Sequence, residues 1–212
     1  GGGGVLLDSD STQSLIDLIK TFIGSGGISQ EHGGAQITLP ESFQPSGPWK
    51  HFLAGAKRAK WEESYDRFLR GEHPQAIAMQ QKLTSGAEGK PIQPGTVIGH
   101  ILESALQAGK QVPLRRLAEC DDLANLPNEA DWEKMDNASI KIGCDPVESN
   151  QRRDKEILVE MVGPEVEMDF TQKTDEQKAG EKVWYAKIKW WVALKRAKAP
   201  VSFGGGGKRQ RT

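Results

Sequence analysis

The chain has 212 residues, enough for one ordinary domain or two small ones. Only 36% of its residues are hydrophobic and 24 are glycine, so we expect a compact middle flanked by disordered ends. No apolar run is long enough to span a membrane, and Cys120 and Cys144 lie outside any CxxC motif, which favours reduced thiols in an intracellular protein.

Charge is distributed unevenly along the chain, although the net charge is -1. Residues 1–48 carry five acidic residues against one lysine, and residues 49–120 carry eleven basic against seven acidic residues. Residues 121–181 carry seventeen acidic against seven basic residues, and residues 182–212 carry nine basic residues and no acidic one. Two basic blocks separated by an acidic one indicate charged surfaces that the net charge of the whole chain does not reveal.

Residues 1–48 are predicted to be a flexible segment with one short helix. Ser11 or Thr12 can cap this helix, and the Gly-Ser-Gly-Gly run at residues 24–27 ends it. The apolar residues that recur at helical spacing within it are Leu15, Ile16, Leu18, Ile19, Phe22 and Ile23. Because the chain begins with Gly1 and not with Met, we also expect it to be a piece of a longer protein.

Residues 49–120 are predicted to form a small helix-turn-helix bundle. Helical spacing of apolar residues predicts helices at residues 61–70, 74–83 and 96–108, with Gly71 ending the first and Pro74 beginning the second. The side chains that we expect to share one core are Tyr65, Phe68, Ile77, Ile98, Ile101 and Leu102. Three short helices with one apolar face each are typical of bundles that dock on DNA.

Residues 121–181 are an acidic segment, and residues 182–212 are a basic aromatic segment with a Gly-rich basic tail. A short helix is expected at residues 129–138. The apolar run 157–162 and the alternating run 165–170 predict a small β-hairpin. The predicted fold class is therefore mainly α: a helix-turn-helix or winged-helix-like bundle with a β-hairpin and disordered Gly-rich ends.

Short motifs follow one another in a recognisable order through the central block. An aromatic helix ends at Gly71, and the motifs after it are Ile77-Ala78, Thr96-Val97-Ile98-Gly99-His100-Ile101 and Val112-Pro113-Leu114-Arg115-Arg116-Leu117. This region, about a quarter of the chain, resembles the helix-turn-helix region near the C-terminus of RecQ-family and related helicases. The resemblance implies a parent protein that unwinds DNA with ATP, to which this chain supplies DNA binding or positioning.

One departure from that family concerns the turn between the second and third helices. Members of the family use a tight turn, as helix-turn-helix motifs do, whereas residues 84–95 intervene here. The insertion is either a surface excursion that leaves the helices packed, or a loss of the turn geometry.

The third helix is the candidate recognition helix. On the side opposite its apolar face, Thr96, His100 and Gln107 are candidates to contact base edges. Lys90 and Gln93 precede the helix start, where phosphates are favoured. Glu103 on the same side argues against this interpretation, because a carboxylate repels phosphate. The alternative is a polar surface without a binding role.

Five basic residues complete the predicted DNA contacts, and they are Arg115, Arg116, Lys195, Arg196 and Lys198. In the C-terminal segment, basic residues alternate with Trp and Tyr, so they can neutralise phosphates while the rings stack on unpaired bases. The alternative is that the tryptophans pack in a core while the lysines extend outward.

No phosphate-loop, zinc, calcium or catalytic motif is recognisable, so neither a cofactor nor a metal is predicted. The expected function is non-catalytic DNA binding or positioning in a RecQ-like helicase or related repair protein. The expected partners are single-stranded, duplex or forked DNA and other repair proteins, in the nucleus and without a membrane. The alternatives are a protein-interaction or structural module of a larger assembly, and an enzyme whose motifs are unfamiliar.

Overall fold

The computed structural model describes residues 34–47, 60–81, 88–148 and 152–204. This part of the chain is mainly helical, as predicted, with one two-stranded sheet. Its α-helices are α1 (Lys60–Leu69), α2 (Pro74–Met79), α3 (Pro94–Gly99), α4 (Leu114–Glu119), α5 (Glu129–Lys141), α6 (Asp154–Val162) and α7 (Asp175–Ala197). The helix expected near residues 11–23 and the ends at residues 1–10 and 205–212 lie outside the described residues.

Helices α1 to α4 enclose the first of two hydrophobic cores. Trp61, Tyr65 and Phe68 recur at helical spacing on α1 and are all buried, and Gly71 (φ +102°) follows the helix end. Pro74 occupies the first turn of α2, where a missing N–H costs nothing. The six side chains predicted to share a core are all buried in it together, which confirms the prediction.

The insertion between α2 and α3 leaves these two helices packed against each other. Residues 82–87 lie outside the described part, but the Ile92 N–H donates to the Ala78 carbonyl at 2.9 Å. Ile77 on α2 and Val97 on α3 are buried in the same core. The second and third helices therefore stay packed although the tight turn is absent.

The third helix changes geometry after its first turns. α3 continues without a break into a π-helical segment, His100–Ala105, whose Ile101, Leu102 and Ala105 are fully buried. Single π-helical turns inside α-helices are rare and often occur at functional sites. The predicted helix at residues 96–108 is thus present but is partly π-helical.

Helices α5, α6 and α7 enclose the second core. Met135 on α5, Leu158 on α6 and Trp191 on α7 are completely buried within it. α7 also reaches the first core, where its Trp190 and Leu194 are buried. The predicted boundary at residues 181–182 therefore falls inside a single helix, and the acidic and basic segments are packed against each other.

The prediction of a β-hairpin at residues 157–170 is wrong. Residues 154–162 form α6, in which the adjacent Ile157 and Leu158 are both buried, as a helix allows and a half-exposed strand does not. Gly163 (φ +133°) ends α6, and the 3₁₀ turns Pro164–Glu167 and Phe170–Gln172 follow. Within the part of the chain that the structure describes, no strand pairs with this segment.

The sheet lies elsewhere, between the N-terminal segment predicted to be flexible and the C-terminal basic segment, for neither of which the sequence predicts a strand. β1 (Ile37–Thr38) pairs antiparallel with β2 (Ser202–Phe203), with Ile37 opposite Phe203. The ring of Phe203 also packs edge-on against Trp132, with centroids 5.8 Å apart. These contacts fasten the segment after α7 to residues near the start of the described chain.

Among the described residues, no helix is both long enough and apolar enough to cross a membrane. Cys120 and Cys144 are both free thiols.

Candidate nucleic-acid interface

The first turn of α3 is open to solvent. Gln93, which precedes α3, is exposed, as are Pro94, Gly95 and Thr96 within it. Lys90, three residues upstream of Gln93, is exposed as well. Of the predicted base and phosphate contacts, Lys90, Gln93 and Thr96 are therefore brought together at one accessible helix end.

Lysines from two other helices lie close to α3 and its continuation. The Lys189 ammonium on α7 donates to the Gly95 carbonyl at 3.1 Å. Lys60, exposed at the start of α1, and Lys189 both act electrostatically on His100. With Lys90, these residues make up a group that we call the α3-end lysines (Lys60, Lys90 and Lys189). No ion pair between described residues engages any of the three.

His100 lies between α1 and α3 and is only half-buried. Its Nδ1 is 3.0 Å from the Ser64 hydroxyl, so the ring is held by a buried residue of α1. Burial lowers the pKa of His100, and the nearby Lys189 and Lys60 ammonium groups lower it further. The imidazole is therefore neutral at neutral pH, and it contributes no positive charge to the surface.

Farther along the third helix, the polar side chains are covered by protein. Gln107 is 5% exposed, which removes it from the candidates for base contact. The Glu103 side chain is 15% exposed and its Oε2 accepts from Arg152 at 2.8 Å. Burial raises the pKa of Glu103, although Arg152 and Lys189 oppose that shift. Glu103, which is expected from the sequence to repel phosphate, is thus paired with Arg152 within the protein.

Arg115 and Arg116 are adjacent in sequence but differ in role. The Arg116 guanidinium lies 4.0 Å from the centroid of the Phe68 ring and donates to the Phe68 carbonyl at 2.8 Å. It also donates to the Glu72 carbonyl at 3.2 Å. Arg115 is exposed. Only Arg115 of this pair remains accessible to a ligand.

The C-terminal basic residues are mostly used inside the protein. Lys195 forms an ion pair with Asp136 and lies near the rings of Trp132 and Trp191. Arg196 donates to the Pro146 carbonyl at 2.8 Å, and burial lowers its pKa. Lys198 is exposed in the left-handed conformation that ends α7. Because Trp190 and Trp191 are fully buried, the core-packing alternative describes this stretch better than base stacking does.

Two of the α3-end lysines, Lys60 and Lys189, are not predicted from the sequence. Lys60 immediately precedes Trp61, and its position at a helix start is the available signal. Lys189 is separated by 94 residues from Gly95, whose carbonyl it contacts, and no local pattern indicates such a contact.

The chain matches no family model, no curated protein and no solved structure. Within the described residues, no group of three or more His, Cys, Asp or Glu side chains is placed to hold a metal ion.

Proposed function

We propose that the chain is a non-catalytic DNA-binding and positioning module that contacts DNA through the exposed first turn of α3. The observation that carries this proposal is the set of α3-end lysines: Lys189 contacts the first turn of α3, Lys90 is exposed just upstream of it, and Lys60 acts on His100. None of the three forms a close ion pair with an acidic side chain among the described residues, although Lys189 acts electrostatically on Glu103. By contrast, Lys187 and Lys195 on α7 are both paired with aspartates. Ammonium groups outside close ion pairs remain available to phosphate.

The geometry also favours a particular mode of contact. Helix-turn-helix proteins place the N-terminal residues of the recognition helix against base edges. Among the described residues at that end, the exposed uncharged polar side chains are those of Gln93 and Thr96. Two side chains can recognise few bases directly. The proposed binding therefore depends mainly on contacts to the DNA backbone and only weakly on the DNA sequence.

The resemblance to RecQ-type helicases supports a role in positioning DNA for a catalytic region elsewhere in a parent protein. The corresponding substrates are single-stranded, duplex or forked DNA. The proposed location is the nucleus, where such a substrate occurs.

The test is a fluorescence anisotropy titration of labelled single-stranded, duplex and forked DNA at several salt concentrations. We compare the wild type with Lys60→Glu/Lys90→Glu and with the matched control Lys155→Glu/Lys182→Glu, whose lysines are exposed on α6 and α7. Removing one phosphate contact lowers the salt slope by about 0.9 for duplex DNA. We expect weaker binding and a shallower slope for the first variant alone.

Two results would contradict the proposal. One is the absence of binding to all three DNA forms at low salt. The other is an equal reduction of affinity in both double variants, since that would mean that only overall charge matters.

The second candidate function is that of a protein-interaction or structural module. A specific observation favours it, because Phe170 is 67% exposed and Met168 is 41% exposed in a segment remote in sequence from α3. The two functions are compatible, since they use different surfaces.

A further inference from the structure

Exposed apolar side chains are concentrated where α6 leads into α7. Val162 is 39% exposed, Met168 41% and Phe170 67%. The described residues include seven exposed large hydrophobic side chains, and three of them fall within these nine consecutive positions. Scattered exposed hydrophobic residues are normal, whereas neighbouring ones mark interaction surfaces. We call this surface the 162–170 patch.

The segment that carries the patch is fixed in place. Val166 is 2% exposed and is inserted in the second core, and its carbonyl accepts from the Lys173 ammonium at 2.7 Å. Asp169 accepts from the Thr171 backbone N–H at 2.8 Å and from the Thr171 hydroxyl at 2.6 Å. Met168 and Phe170 remain exposed on this anchored segment. A surface fixed in this way loses little conformational entropy on binding.

Acidic residues outnumber basic ones in the segment that carries the patch. Residues 164–176 contain one basic residue, Lys173, and five acidic ones, which are Glu165, Glu167, Asp169, Asp175 and Glu176. Lys173 is paired with Glu181 at 2.8 Å, and no ion pair between described residues uses any of the five carboxylates. When Lys178 at the Phe170 ring is included, residues 162–178 still hold five acidic against two basic residues, and we call the five carboxylates the acidic rim.

The Phe170 ring already contacts one cation of the protein itself. The Lys178 ammonium on α7 lies 4.6 Å from the ring centroid, a distance at which the negative face of an aromatic ring attracts a positive charge. The ring nevertheless remains 67% exposed, so much of its surface is still accessible to other groups.

We propose that the 162–170 patch docks a protein partner that presents apolar side chains flanked by Lys or Arg. Nucleic acids and anionic lipid surfaces are repelled by the acidic rim, whereas a cationic apolar protein segment complements both its charge and its hydrophobicity. The proposal does not depend on DNA binding, which we assign to α1 and α3. If both hold, the chain connects a DNA-bound surface to a second protein.

The experiment uses two fluorescein-labelled synthetic peptides and the full chain. One peptide is a short helix with leucine along one face and lysine elsewhere, and the other has every leucine replaced by serine. We expect anisotropy to report binding of the leucine peptide, and Met168→Ser/Phe170→Ser to weaken it by about tenfold or more. The matched control, Ile140→Ser, changes a side chain that is 76% exposed on α5 and should leave affinity unchanged.

Circular dichroism shows whether the variants remain folded, which we expect because all three substituted side chains are exposed. Equal affinity for the two peptides would overturn the proposal, because charge alone would then explain binding. Unchanged binding by Met168→Ser/Phe170→Ser would also overturn it. Analytical ultracentrifugation provides the remaining test: self-association that is abolished by the same double variant would show a second copy of the chain as the occupant instead.

Discussion

Trp190 and Trp191 are neighbours on α7, yet they lie in different hydrophobic cores. Both are fully buried, Trp190 in the core of α1 to α4 and Trp191 in the core of α5 and α6. Their indole N–H groups donate to Asp121 and to Asp136, each at 2.9 Å. Consecutive helical residues point about 100° apart, so one helix positioned between the cores serves both.

This arrangement predicts that the two cores unfold together. Trp190→Ala and Trp191→Ala should each cost about 3–5 kcal/mol, because each creates a large cavity. Urea titrations followed by circular dichroism and by tryptophan fluorescence should give coincident single transitions for the wild type and for both variants. Two separated transitions in either variant would show that the cores are independent.

A second prediction concerns the first core. Ile101 is fully buried in the π-helical part of the third helix, so Ile101→Ala should lower the free energy of unfolding by about 2–5 kcal/mol. Ile140→Ala removes the same atoms from a side chain that is 76% exposed and should change stability by about 0.5 kcal/mol or less. Equal unfolding midpoints for the two variants would contradict the assignment of Ile101 to the core.

The first core was predictable because its signal is local. Tyr65 and Phe68 follow Trp61 at intervals of four and three residues, and Ile101 and Leu102 lie three and four residues after Ile98. This spacing indicates both the helix and its buried face. A period of this kind needs no knowledge of distant residues.

The features that the sequence does not predict depend on contacts between residues that are distant in the chain. Glu103 and Gln107 lie on the polar side of the third helix, which an amphipathic pattern assigns to solvent. Arg152 and α7 instead cover that side, and Arg152 is 49 residues away from Glu103. The strands are equally non-local, because two-residue strands such as Ile37–Thr38 are too short to show alternation.

The buried Glu103 carboxylate predicts a pH dependence. Its pKa is raised by burial, so the native state holds the proton more tightly than the unfolded chain does. The free energy of unfolding due to this group should therefore increase as the pH falls from neutral through the raised native pKa. The gain should level off below the pKa of the unfolded chain.

Glu103→Gln isolates this titration, since the amide has the same shape and does not ionise. Urea unfolding across a pH series should show the wild type gaining stability relative to Glu103→Gln on acidification. His100 has a lowered pKa and acts in the opposite direction, because its folded form binds protons less readily. His100 is present in both proteins, so its contribution cancels in the difference between their free energies of unfolding. A difference that stays constant with pH, or that grows as the pH rises, would refute the prediction.

The last prediction uses the adjacent arginines, which look equivalent in the sequence and differ in the structure. Arg116→Ala removes a guanidinium that lies over Phe68 and donates to two carbonyls, so it should lower the free energy of unfolding by about 1.5–3 kcal/mol. Arg115→Ala truncates an exposed side chain and should change it by about 0.5 kcal/mol or less. Urea denaturation of both variants under identical conditions measures the difference. If the two stabilities fall equally, Arg116 does not hold α1 against α4, and it rejoins Arg115 in the set of candidate phosphate contacts.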